Sequence, residues 1–209
     1  MTVSNSSALP QSELLQADRP YHSTMAFEAF LGRNMCWRED SIVLDIGTGL
    51  GANLHYFRRL HPEISFEGLD YNANTVEAGN RLIEERGLAG IRLRTGDAIA
   101  PPPEYRGRLD GVLSIHMLCC FRRAEPLIDA MCGLAPRWIA INSLFYEGPL
   151  DVLVHIRDYN RPDIADDNPD GDFNIFSLDR TRQAFAANGY QVISEPFHPP
   201  EDLPRPADG

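Results

Sequence analysis

The sequence predicts an α/β fold with one doubly wound, mostly parallel sheet, helices on both faces and a helical extension at the N-terminus. Three observations carry that expectation. Short apolar runs alternate with longer amphipathic stretches, the order that arises when each parallel strand needs a helical crossover. A glycine turn, Gly47-Thr48-Gly49-Leu50-Gly51, follows the apolar run Val43–Ile46 and hands over directly to an amphipathic stretch. Polar or small residues close the later runs, at Asp70-Tyr71, Gly96-Asp97-Ala98, Ile115–Met117 and Asn142–Tyr146. In sheets of this kind ligands bind outside the carboxyl ends of the strands, so all these groups are expected to face one crevice.

Element by element, Ala26, Phe27, Phe30 and Leu31 recur at helical spacing from Ser23, which puts a helix before the first strand. Ser41–Ile46 reads as a strand and Ala52–Leu60 as a helix with Leu54, Phe57 and Leu60 on one side. Ile64–Leu69 is a second strand and Asn74–Arg86 a helix closed by Gly87. Ile91–Arg94 is a short third strand, ended by the turn Pro101-Pro102-Pro103, and Leu109–Ile115 is a fourth. Ala124, Leu127, Ile128 and Met131 form a helical stripe that stops at Gly133. Trp138–Phe145 is a fifth strand. A last helix starts on Ser177 as N-cap, with Asp179 in its first turn, and ends at Gly189. Tyr190–Phe197 reads as a sixth strand, after which only Pro-rich, charged residues follow. The expected division is a flexible N-terminus (1–18), one domain (19–200) and a Pro-rich tail (201–209).

The 209 residues suit a single domain that buries its own core. A formal charge of −11 argues against loose binding to a phosphate backbone, and Arg58-Arg59 and Arg122-Arg123 read as solvated helix ends. Neither a secretory signal nor a bilayer-length apolar run is visible, which points to a cytoplasmic protein. Cys36, Cys119, Cys120 and Cys132 include no C-x-x-C pair and read as reduced, mostly buried thiols.

The glycine turn needs bare backbone, because a Cβ would block a ligand lying against it. Gly47, Gly49 and Ala52 also satisfy the G-x-G-x-x-G/A dinucleotide pattern, with Asp70 near the position of a ribose-binding acid, so an NAD-dependent oxidoreductase is one reading. Asp45 two residues before the first glycine, Gly51 completing G-x-G-x-G, and Gly96-Asp97-Ala98 after the third strand favour another. With those residues the chain resembles the Rossmann-like class I S-adenosylmethionine-dependent methyltransferases, over Asp45 to about Phe121 and, as a strand–helix pattern, to Phe197. That resemblance implies S-adenosyl-L-methionine as cofactor. Asp45 would meet its ammonium directly or through water, Gly47, Gly49 and Gly51 would let the backbone approach it, Asp70 would hold the ribose hydroxyls and Asp97 would accept from the adenine amine, with Thr48, Tyr71, Ala98 and Ile115 completing the cofactor-binding set. On the residues alone, the alternative and lesser reading of Asp45 is a loop-ordering cap, and that of Asp70 and Asp97 exposed turn acids. The family sheet ends in a hairpin of strands six and seven; here the seventh is absent, lies outside this sequence or is supplied by a partner, and an unpaired edge would favour a homodimer.

A sulfonium donor is already activated, so a base matters only for acceptors that carry a proton. His116, after the fourth strand, is the first candidate base, although it also suits a pocket-lining histidine. The family's downstream histidine pair falls here on Cys119-Cys120. Tyr146–Phe176 is long for a connection and reads either as a substrate-covering lid that supplies His155 or Tyr159, or as a surface excursion. Within it Leu150, Val152, Leu153 and Ile156 suggest a short helix. Asp166–Gly171 half-matches a calcium loop but lacks the acid at position twelve, so no metal is expected. N-terminal segments fold over the cofactor in the family this chain resembles, which would give Tyr21 and His22 that place; simple packing is the alternative reading and the commoner one. Asn142–Phe145 and Asp202–Pro206 resemble methyltransferases of glycan pathways, which makes the expected acceptor a hydroxyl or amine of a small metabolite such as a sugar, with no nucleic acid and no membrane. A cofactor-binding subunit without activity of its own is the alternative.

Overall fold

In the computed structural model, which describes residues 17–34, 37–157 and 170–200, five apolar runs pair as one sheet. They are β1 (Ile42–Ile46), β2 (Ser65–Asp70), β3 (Ile91–Thr95), β4 (Gly111–Ile115) and β5 (Trp138–Asn142). The order is β3-β2-β1-β4-β5 and every pairing is parallel. β1 therefore lies between β2 and β4, with Val43 opposite both Phe66 and Gly111. The chain winds outward from β1 in one direction and then, from β4, in the other. The two loops that leave β1 and β4 separate there and open a crevice.

Alternate residues of the central strands feed two cores, which is why β4 is buried throughout rather than on one face. Val43, Phe66 and Leu113 pack with Leu54 and Phe57 of α2 (Ala52–Leu60), Val76 of α3 (Ala73–Glu85) and Leu31 of α1 (His22–Asn34). Leu44, Ile46 and Val112 pack instead with Leu127 and Met131 of α4 (Glu125–Gly133) and Phe185 of α5 (Leu178–Ala187). Helix starts follow local chemistry. The Asn72 side chain accepts from the backbone N–H groups of Asn74 and Thr75, and Ser177 Oγ accepts from that of Arg180.

Three expectations need correction. The fifth strand stops at Asn142; Phe145–Tyr146 (β6) is a separate short strand that pairs with Phe176–Ser177 (β9). Leu150–Ile156 does not form a helix. Its β-branched residues favour extended backbone. Val152 exchanges backbone hydrogen bonds with Ile175 and Val154 O accepts from Phe173 N–H, while the Asn174 side chain accepts from Val154 N–H. The run continues into an antiparallel hairpin of β7 (His155–Arg157) and β8 (Asp170–Asp172). Finally, Tyr190–Phe197 is not a strand. Its alternating apolar residues find no sheet edge, and Val192 and Ile193 stay exposed. Side chains hold the run instead, through Tyr190 to Pro136 O, Arg182 to Ser194, and Arg33 to Glu195. Among the described residues no helix is long and apolar enough to cross a membrane.

His55 on α2 is fully buried, and neither ring nitrogen has a hydrogen-bond partner among the described residues. Burial, helped by Arg86 and Arg59, pushes its pKa down from 6.5 to about 4, against the pull of Asp18. The unfolded chain then binds a proton that the folded chain refuses, so this residue costs stability as pH falls from about 6.5 towards 4. Thermal melts of wild type and His55→Leu across that window should show a smaller acid loss in the variant. Parallel curves would contradict the assignment.

Candidate active site

The glycine turn leaves β1 with Gly47, Gly49 and Gly51 all at positive φ (76°, 56° and 78°), conformations that side chains disfavour. At Gly47 space is short as well, because a Cβ would come within 2.4 Å of Met117 Sδ. The turn is pinned to the end of β2. Gly47 and Thr48 N–H donate to Leu69 O at 2.8 and 3.2 Å, and Gly49 N–H donates to Asp70 Oδ2 at 2.9 Å. The other Asp70 oxygen takes the Asn72 N–H at 3.0 Å. Across the next strand, Gly96 N–H donates to Asp70 O, and Asp97 Oδ1 takes the Ile99 N–H at 2.9 Å.

These strand ends surround a cavity of about 450 Å³, within the range of small-molecule sites. One end is walled by Asp70, Tyr71, Gly96, Asp97 and Ala98, with Gly47 and Leu69 between; the other by Met117, Cys120, Phe121, Gly171 and Asp172. Asp45 lies beneath the turn, 1% exposed, with Oδ1 lacking a hydrogen-bond partner among the described residues. Burial pushes its carboxyl from 3.8 up to about 7, the Thr48 side chain opposing and Asp70 adding to the rise. Thr48, Gly49 and Gly51 form the turn behind the wall, and Ile115 is buried in the core under α2 rather than on the wall.

The candidate bases are not brought together. His116 turns the chain at the end of β4 with φ 56°, its N–H donating to Asn142 O, and its Nε2 sits 3.5 Å from Ser23 Oγ on α1. Burial lowers its pKa. His155 stands on β7 with Nδ1 3.3 Å from Asp172 Oδ1, while Arg122 Nε donates to Asp172 Oδ2 at 3.2 Å. Hydrogen bonds from His155 and Arg122 hold the Asp172 carboxyl below its ordinary pKa, His155 most strongly. Tyr159 lies outside the described residues, as does most of the calcium-like run; Tyr21 is half-exposed and His22 opens α1. Sequence reasoning missed Cys120, Phe121, Gly171 and Asp172. The first two reach the cavity because a 3₁₀ turn, Leu118–Cys120, follows His116, and the last two because the hairpin folds back. Cys120 is exposed, not buried as the sequence suggested. No group of three or more metal-ligating residues occurs among the described residues.

Residues 43–135 match the family model described as a methyltransferase domain. That stretch, just under half of the 209 residues, is similar to a methyltransferase domain, and the fold around it is shared with an S-adenosylmethionine-dependent methyltransferase from Aquifex aeolicus. The residues present fit that cofactor, with an orphaned buried carboxylate oxygen at Asp45 and a glycine surface that a Cβ would fill. Over 62 residues this chain is 34% identical to the tRNA (guanine-N(7)-)-methyltransferase of Hydrogenovibrio crunogenus, covering 30% of this chain and 26% of that protein. It thus spans about a quarter of the length of the curated relatives it matches. A Haloferax volcanii complex of the Trm112 methyltransferase activator with a methyltransferase shares the fold, with TM-score 0.61, 18% identity, and coverage of 94% of this chain and 80% of that chain. So does the N-terminal domain of EvdMO1 with SAH bound, with TM-score 0.56, 19% identity, and coverage of 79% and 70%.

The relatives' names overturn the expectation of a small-molecule acceptor and no nucleic acid. Net charge was the wrong guide, since it averages the whole surface and says nothing of cations placed locally, such as the exposed Arg122 and Arg123 beside Phe121.

The Asp45 carboxyl has a distinct stability signature. Its folded pKa is raised, so its contribution is intact below about 3.8 and is lost as pH climbs through about 7. Asp45→Asn should therefore melt higher than wild type at pH 8, by on the order of a few kcal/mol, and the gap should close towards pH 4. A gap that is constant with pH would mean that Asp45 is not protonated in the folded protein.

Proposed function

We propose that this chain transfers the methyl group of S-adenosylmethionine to a base of an RNA, held at the Met117, Cys120, Phe121 and Asp172 end of the crevice. The observation that carries the reading is the convergence of Asp70, Asp97 and the glycine turn, from three different strands, on one cavity. Each Asp70 oxygen spends one lone pair on a backbone N–H and keeps another for a ribose hydroxyl. Asp97 Oδ1 is fixed by Ile99, which leaves Oδ2 for the exocyclic amine of adenine, with Tyr71 and Ala98 beside it. Asp45 answers the ammonium, directly or through water, and positive charge there restores its ionised form. Ile115 anchors the rigid end of β4.

When bound, the cofactor supplies a methyl group already activated on a sulfonium. The chain's share is to align the acceptor and exclude water. The β7–β8 hairpin does the latter by closing one side of the crevice with Gly171 and Asp172. A ring nitrogen with a free lone pair needs no base. For an acceptor that carries a proton, His155 is the base, with Asp172 holding its ring. RNA contact rests on local groups such as Arg122 and Arg123, since the field of a chain of charge −11 is repulsive.

Calorimetry should show that the protein binds S-adenosylmethionine and its demethylated product but not NAD. Asp70→Ala should weaken both about 10- to 100-fold, as expected for lost charge-assisted hydrogen bonds. No affinity, or affinity indifferent to that substitution, would reject the cofactor assignment. Incubation with methyl-tritiated cofactor and bulk tRNA should then place label in RNA. Binding without transfer to any RNA would instead favour a non-catalytic cofactor-binding subunit.

A further inference from the structure

The 3₁₀ turn Leu118–Cys120 gathers two thiols around one carbonyl, with Cys119 Sγ 3.2 Å and Cys120 Sγ 3.8 Å from His116 O. Their surroundings differ. Cys119 is buried, whereas Cys120 is exposed and forms part of the cavity wall beside Phe121 and Asp172. We propose that Cys120 is a thiol-modification site that takes up small disulfides and, once capped, fills the acceptor end of the crevice.

The chemistry is thiol–disulfide exchange. The Cys120 thiolate attacks one sulfur of a low-molecular-weight disulfide, the S–S bond breaks, a mixed disulfide forms, and the second half leaves as a thiolate. The attacker is oxidised and the departing half reduced, so no further oxidant is needed. Cys119 is the nearest thiol, yet it does not compete as a bridging partner. Consecutive Cα atoms across a trans peptide lie about 3.8 Å apart, below the roughly 4.4–6.8 Å that an unstrained disulfide spans. Cys119 acts instead as a neighbour. Its thiol holds that of Cys120 down to about 7, against burial and the Asp172 carboxylate. An attacking thiol with a pKa near ambient pH is the most effective kind. Cys132, by contrast, is pushed up to about 11 by burial and Asp129.

Cys120 stands with Phe121 and Asp172 on the β4 side of the crevice, whereas Asp70 and Asp97 end β2 and follow β3 on the other side of β1, so a cap on Cys120 occupies the first end. This consequence rests on the methyltransferase reading: capping blocks the acceptor while the adenosine end stays open.

The test treats the full chain with cystamine across pH 6–9 and follows each cysteine-containing peptide by mass spectrometry. Cys120 should be capped at least tenfold faster than Cys132, with a rate that titrates near pH 7 and a mass shift reversed by dithiothreitol. Cys119→Ala should slow capping at pH 7 several-fold, and Cys120→Ser should abolish it with an unchanged melting curve. Capped protein should retain affinity for the demethylated cofactor within about threefold and lose transfer to RNA. Capping of Cys120 no faster than of Cys132, or without titration near neutrality, would overturn the proposal. Fast capping in a protein with no cofactor affinity would sustain the thiol site and reject the methyltransferase reading instead.

Discussion

The Asp70 carboxylate ties the site together. It ends β2, takes the Gly49 N–H with one oxygen and the Asn72 N–H with the other, and so fixes the glycine turn and the start of α3 as one unit. Its own carbonyl receives Gly96 N–H, which brings the end of β3 into the same frame. A glycine turn is the least constrained stretch a chain can have. Here its shape is imposed by bonds from Leu69 and Asp70, so the backbone presented to the crevice is rigid without any side chain of its own.

That frame explains how the site tolerates a buried acid. Asp45 sits under the turn on the central strand, cut off from water, and carries a cost in the folded state that grows as it ionises. A residue that destabilises the empty protein at neutral pH is intelligible where a cation comes to meet it. The same division holds across the cavity. The Asp70–Asp97 end is rigid and hydrogen-bonded to backbone, while the Cys120–Asp172 end is built from a 3₁₀ turn and a hairpin whose side chains pair with His155 and Arg122. The first end suits a fixed cofactor, the second an acceptor that must enter and leave.

Most of the sheet was legible in the sequence because the central strands β1 and β4, buried on both faces, are written as near-continuous apolar runs, and Gly47–Gly51 and Gly87 punctuate the pattern with turn chemistry. The failures share a cause. Tyr190–Phe197 has the alternation of a strand, but alternation is silent about whether an edge awaits it. Leu150–Ile156 has apolar spacing that fits a helix, while its β-branched residues and the partner run Phe173–Ile175 decide for extended pairing. Cys120, Phe121 and Asp172 were unreadable as site residues because their approach depends on the αL turn at His116 and the fold-back of a hairpin, neither of which leaves a spacing signal. Charge composition is silent about the acceptor for a related reason, since a sum over the chain carries no positions.

The central claim is one of placement, and a crystal structure of the protein with the demethylated cofactor tests it most directly. The account predicts ribose hydroxyls on Asp70, the adenine amine on Asp97, and the amino-acid end over Gly47–Gly49 above Asp45, with the sulfur facing Cys120 and Asp172. Cofactor density elsewhere on the molecule, or in this crevice with its ends reversed, would contradict it.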